Sequence, residues 1–188
     1  MSLNSLNLPN IVTLARIILV PVIFWLLISG NKQAAFIAFL AAGVSDAVDG
    51  FLAKRFNWQT QLGAYLDPIA DKLLIVSIYV ALGVAEHLPS WLAIAVVSRD
   101  ILIVLAVMLA WFIGNPVAIE PSMLSKTNTA FQIALAAAVL AAEGFSIDVP
   151  TLRTTLVWIT GMLTVASLAD YLRTWLSHMS GPTAQSGG

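Results

Sequence analysis

Four aspartates, Asp46, Asp49, Asp67 and Asp71, stand in the stretch DAVDGFLAKRFNWQTQLGAYLDPIAD, with long apolar sequence on either side. An ionised carboxylate at bilayer depth is costly unless it is paired, hydrated or bound to a cation, so four of them mark a site. Within each pair the spacing is three or four residues, which puts both members on one helix face. Brought together without counter-charge they would repel and shift toward protonation. Divalent cations remove that problem, and hard oxygen ligands of this kind suit Mg2+ or Mn2+. Gly50, Ala53 and Gly63 are small residues on or beside the same faces and leave room for a ligand, while Lys54 and Arg55 add the positive charge that an anionic phosphate requires. The competing reading makes the acids structural, neutralised by Lys72, Arg99 or Arg16 to specify helix packing. Four acids with interleaved glycines favour function over it.

The rest of the chain has to hold these groups in a membrane. Of its 188 residues 59% are hydrophobic and only 10% charged, against about 25% charged in a soluble domain. Mean hydropathy is +0.89. The absence of cysteine excludes a disulfide framework and thiolate metal sites. A net charge of -1 without any run of like charge argues against nucleic acid as a partner. No basic residue precedes the first apolar run, so a cleaved signal peptide is not expected.

The pattern predicts an all-α integral membrane protein with six transmembrane helices and a short N-terminal interfacial helix, Pro9 breaking any helix before the first apolar run. The spans are expected at about 11–29, 33–51, 64–83, 91–113, 128–142 and 155–176, with polar connections at 52–63 and 114–126. Residues 1–179 then form a single six-helix domain, and 180–188 a flexible tail. Lys54, Arg55, Lys126 and Arg173 collect on the side of the acid cluster, which should therefore face the cytoplasm. Helices two and three are expected to be antiparallel neighbours, so that both acid pairs share one depth. Two further polar groups need explaining: Arg99 with Asp100 inside the fourth span, and Ser125, Lys126 and Asn128 near the start of the fifth. The six tryptophans, among them Trp91, Trp158 and Trp175, read as interfacial belts.

The acid stretch resembles the CDP-alcohol phosphotransferase signature, in which Asp46, Asp49, Gly50, Ala53, Gly63, Asp67 and Asp71 match in type and spacing. The signature's Arg is Lys54 here, followed by Arg55. The resemblance extends through LPNIVTLAR and LDPIADKLL. It implies transfer from CDP-diacylglycerol at the cytoplasmic face of a bacterial inner membrane, with CMP leaving. Asp46, Asp49, Asp67 and Asp71 would lie at two divalent cations and Asp71 would be the general base. The donor nucleotide would lie against Asp46, Gly50, Ala53, Lys54, Arg55, Gly63 and Asp67. A homodimer is also implied.

Away from the signature, VVSRDILI, PSMLSKTNTAFQ and WITGMLTVAS resemble the CMP-forming cardiolipin synthase branch more than the phosphatidylglycerophosphate synthases, which tend to carry a second Lys where Asn128 stands. Phosphatidylglycerol is therefore the expected acceptor, with Arg99, Asp100, Ser125, Lys126 and Asn128 as its candidate contacts and glycerol 3-phosphate as the alternative. For Arg99 and Asp100 a structural ion pair is the equal alternative. A cation or proton transporter is the reading of another class, but transport sites tend to lie near the midplane on broken helices. The phospholipase-D-like route requires His-x-Lys, which neither His87 nor His178 offers.

Overall fold

The computed structural model describes residues 8–56, 61–113 and 122–180, and within them the side chains of 17–45, 48, 72–106, 108–110, 112–113 and 122–177. Among the described residues every regular element is a helix: α1 Leu8–Ile28, α2 Lys32–Phe56, α3 Gln61–Val84, α4 Ser90–Phe112, α5 Met123–Phe145 and α6 Pro150–Ser180. Three stretches, Ser90–Ala110, Met123–Phe145 and Pro150–Ser177, are long and apolar enough to cross a membrane. Shorter apolar stretches, Ile17–Ile28, Lys32–Ser45 and Lys72–Val84, lie in α1, α2 and α3. The expected interfacial segment before Leu8 and the tail after Ser180 lie outside the described residues.

Several helix ends differ from the sequence expectation. Pro9 does not delimit α1 but stands in its first turn, where its missing N–H costs no intrahelical bond. The fifth helix starts at Met123 rather than 128, because Ser122 caps it: its Oγ accepts from the Ser125 amide at 3.2 Å. Ser125 and Lys126 are therefore helical. The polar stretch 52–63 does not form a loop of a dozen residues either. Leu52, Ala53, Lys54 and Arg55 are good helix formers, and α2 runs through them to Phe56.

The helices form a closed ring in the order α1, α2, α5, α6, α4, α3, with α3 and α5 also touching across it. Among the described residues α2 and α3 make no direct contact; α1 packs on both. The expected neighbour relation is corrected accordingly. Ile23, Phe39, Ile78, Tyr79, Leu82, Leu92, Leu135 and Leu140 fill the ring's interior. The outer surface is apolar too: Trp25, Ile94, Met162 and Val165 are all more than 60% exposed. So many large apolar groups on the outer surface is the arrangement that lipid, not water, stabilises.

Glycines set two of the closest approaches. A Cβ on Gly144 would sit 3.2 Å from Gln33 Cα and 3.3 Å from the Lys32 carbonyl oxygen. Because those are backbone atoms, Gly144→Val must push α5 off the start of α2, and overpacking of this kind costs about 1–3 kcal/mol. A lowered melting temperature in detergent is the expected result; an unchanged one would show that this end of α2 is free to yield.

Directly beside that contact, four segments are tied together at the end of the bundle away from the acid positions. Glu143 accepts from Lys32 Nζ at 2.8 Å through Oε2, and its Oε1 lies 3.2 Å from His87 Nδ1 and 3.4 Å from Arg153 Nη1. Arg153 also donates to the His87 carbonyl. Burial holds the His87 imidazole below its ordinary titration range; Glu143 opposes that shift, and Lys32 and Arg153 add to it. The unfolded chain therefore takes up the proton first, so stability contributed by neutral His87 is intact above about pH 6.5 and is lost as pH falls below it. Melting temperature should drop on acidification through that range, and His87→Gln should flatten the slope.

Candidate functional site

The acid pairs lie on helices whose ends adjoin across the four residues 57–60. Asp49 is seven residues before the end of α2, and Asp67 six residues after the start of α3. At about 1.5 Å per residue both are about 10 Å in from the connection. Asp46 and Asp71, ten residues in from the same two ends, are both about 15 Å in. Depths thus match in pairs along the two helices. Positions 46 and 49 share one face of α2, and 67 and 71 one face of α3. Lys54 and Arg55 are in the last turn of α2, where positive charge also complements the helix dipole. Side-chain positions for Asp46, Asp49, Ala53, Lys54, Arg55, Asp67 and Asp71, and the surroundings of Gly50 and Gly63, lie outside the described residues.

One residue beyond Asp71 the described side chains begin, with a polar network through the bundle. Asp100 on α4 is 4% exposed, and its Oδ1 accepts from Lys72 Nζ at 2.6 Å and from Arg99 Nη1 at 2.7 Å. Arg99, 1% exposed, gives Nη2 to the hydroxyls of Ser125 on α5 and Ser167 on α6, each at 2.6 Å. One turn further along α5 and α6, Thr164 donates to Asn128 Oδ1 at 3.0 Å. A turn beyond that, Gln132 and Thr160 are fully buried, and the Tyr79 hydroxyl from α3 donates to the Gln132 carbonyl at 3.1 Å. The helices α5 and α6 are therefore joined through Arg99 at Ser125 and Ser167 and directly at Asn128 and Thr164, with Gln132 and Thr160 buried a turn beyond.

Of the residues expected at the acceptor, Arg99, Asp100 and Ser125 are thus brought into one network and Asn128 lies a turn along α5, bonded to Thr164, whereas Lys126 is exposed. Arg99 and Asp100 form the ion pair that was the alternative to acceptor binding. Lys72, proposed from sequence as a neutraliser of the four acids, is bound to Asp100. Gln132, Thr160, Thr164 and Ser167 were not anticipated. Their signal was available as the four-residue spacing of Asn128 with Gln132 and of Thr160 with Thr164, which stacks each pair on one face. Several atoms of this network are buried without a partner among the described residues: Arg99 Nε, Asp100 Oδ2, Asn128 Nδ2, both amide atoms of Gln132 and Thr160 Oγ1.

The motif and its placement on α2 and α3 coincide with a family match: the sequence profile of the CDP-alcohol phosphatidyltransferases fits residues 6–166. The chain belongs to that family. It is 35% identical to human cardiolipin synthase (CMP-forming) over 159 residues, 76% of this chain and 53% of the relative. The CDP-diacylglycerol--glycerol-3-phosphate 3-phosphatidyltransferase of Escherichia coli is 33% identical over 175 residues, 88% of this chain and 93% of that protein. A cardiolipin synthase (CMP-forming)/mitochondrial hydrolase fusion protein of Schizosaccharomyces pombe is 33% identical over 183 residues, 89% of this chain and 31% of its own length. The chain therefore spans about half the human relative and under a third of the yeast one. Relatives of two differently named kinds thus match it at nearly equal identity.

Proposed function

We propose that the chain is a membrane phosphatidyltransferase that moves the phosphatidyl group of CDP-diacylglycerol onto a hydroxyl of phosphatidylglycerol, giving cardiolipin and CMP. The observation that carries this reading is the seven-residue signature, set on α2 and α3 with its acid pairs at matched depth. All six helices cross the bilayer; the apolar outer surface supports it. The site faces the cytoplasm of a bacterial inner membrane, as the basic residues beside it suggest. A homodimer follows from the family resemblance.

The donor set fits hard divalent ions: Asp46, Asp49, Asp67 and Asp71 are four carboxylates on two faces, and they would hold two Mg2+ or Mn2+. Bound there, the cations would neutralise the diphosphate and the departing CMP. Lys54 and Arg55 bind the anionic donor, and Gly50, Ala53 and Gly63 let it approach the helices. Asp71 takes the proton of the acceptor hydroxyl. That oxygen forms a bond to the phosphatidyl phosphorus, the bond from phosphorus to the CMP oxygen breaks, and CMP leaves with the electron pair.

Asn128 favours phosphatidylglycerol over glycerol 3-phosphate. It is fully buried and hydrogen-bonded to Thr164, so it places no second cation where a phosphate dianion would use one. The test is CMP release by the purified protein from CDP-diacylglycerol and phosphatidylglycerol. Turnover should need added Mg2+ or Mn2+ and stop with excess chelator; undiminished turnover in chelator would remove the metal site.

A further inference from the structure

We propose that Lys72 is the cation that meets the phosphate of the acceptor, that Asp100 orients it, and that Arg99 is the anchor holding Asp100 in place. The inference deepens the transferase reading and rests on it. Arg99 has the right charge for a phosphate but the wrong surroundings: it is 1% exposed, and its two terminal nitrogens are committed to Asp100, Ser125 and Ser167. Lys72 differs on both counts. Its side chain is 40% exposed, and among the described residues its ammonium makes one hydrogen bond, to Asp100. An ammonium carries three donors, so two are uncommitted among the described residues.

Charge points the same way. Among the described residues two cations share one carboxylate oxygen, so Asp100 alone does not neutralise both Arg99 and Lys72. Position completes the argument, since Lys72 follows the proposed base Asp71 directly and stands about 100 degrees around α3 from it, on the side that meets α4. An acceptor held with its hydroxyl at Asp71 and its phosphate at Lys72 would lie along the wall of α3, α4 and α5. The donor has its own cations, Lys54 and Arg55, on α2.

Steady-state kinetics on the full-length protein in proteoliposomes test this, with CDP-diacylglycerol and phosphatidylglycerol varied separately. Wild-type turnover comes first; if it is absent, the transferase reading fails, whatever Lys72 does. With turnover present, Lys72→Gln should raise KM for phosphatidylglycerol by about tenfold or more, the scale of one charge-assisted hydrogen bond. KM for CDP-diacylglycerol should stay within about twofold on the same reasoning. Lys72→Met keeps the aliphatic stem and should repeat the effect, so one folded variant of the two suffices. Lys72→Arg should restore much of the acceptor affinity. Asp100→Asn should raise the acceptor KM in the same direction. A rise confined to the donor KM would overturn the assignment, and so would unchanged KM values.

Discussion

Asp71→Asn lowers the rate of CMP release by about 10²- to 10⁴-fold, the contribution expected of a positioned general base. The variant keeps size and hydrogen-bonding atoms but cannot take the hydroxyl proton. Its position, ten residues into α3, puts it at the depth of Asp46 and next to Lys72. Binding of CDP-diacylglycerol should be largely retained, because Asp46, Asp49 and Asp67 remain and Lys54 and Arg55 are untouched. The discriminating pair of measurements is turnover and nucleotide affinity on one preparation. Turnover near wild type would remove Asp71 as the base, and equal loss of both quantities would reassign it to donor and metal binding.

Arg99→Ala should be the most destabilising single change in the described part of the bundle, by about 3–5 kcal/mol, because it strips one partner from a buried ion pair. Asp100 would be left almost fully buried with Lys72 alone, and Ser125 and Ser167 would lose the donor they share. Detergent unfolding should give a sharply lower midpoint. Replacing the pair together, Arg99→Leu with Asp100→Leu, should recover much of the loss, since buried ion pairs are often matched by apolar residues of similar volume. Lys72 can stay solvated in that double variant because its side chain is 40% exposed. The recovered protein should nonetheless bind acceptor weakly, which separates the network's role in stability from its role in orienting Lys72. A double variant no more stable than Arg99→Ala would contradict this division.

These expectations draw unequally on sequence and on structure. The six apolar runs, broken by Gly30, Pro89 and Pro150, foretold six helices, and each appears. Their ends were less legible because Lys54, Arg55 and Gln61 are polar and still good helix formers, so a change in polarity was not a change in backbone. A serine cap moved the start of α5 for a similar reason: Ser122 reads as loop by composition and as helix start by its hydrogen bond. Acid spacing survived these shifts, because α2 and α3 each gained residues at the shared connection and the two pairs stayed at matching distances from it. Chain adjacency was a partial guide to packing: α1 packs on α2, α3 on α4 and α5 on α6, but α2 turns to α5 and α3 to α1. The polar groups between α5 and α6 were hidden for another reason. Gln132, Thr160, Thr164 and Ser167 stand singly on otherwise apolar stretches, and only the packing of α4, α5 and α6 shows which of them meet Arg99 and Asn128. In the same way Lys72, Arg99 and Asp100 were visible as charges, but which charge answers which required the fold.

Product identity is the measurement closest to the central claim. Purified protein is given CDP-diacylglycerol with Mg2+ or Mn2+ and, in separate reactions, phosphatidylglycerol or glycerol 3-phosphate, and the lipid products are identified by mass spectrometry. The account predicts cardiolipin and CMP in equal amounts from the first reaction, and little product from the second. Phosphatidylglycerophosphate from the second reaction, with no cardiolipin from the first, would contradict it.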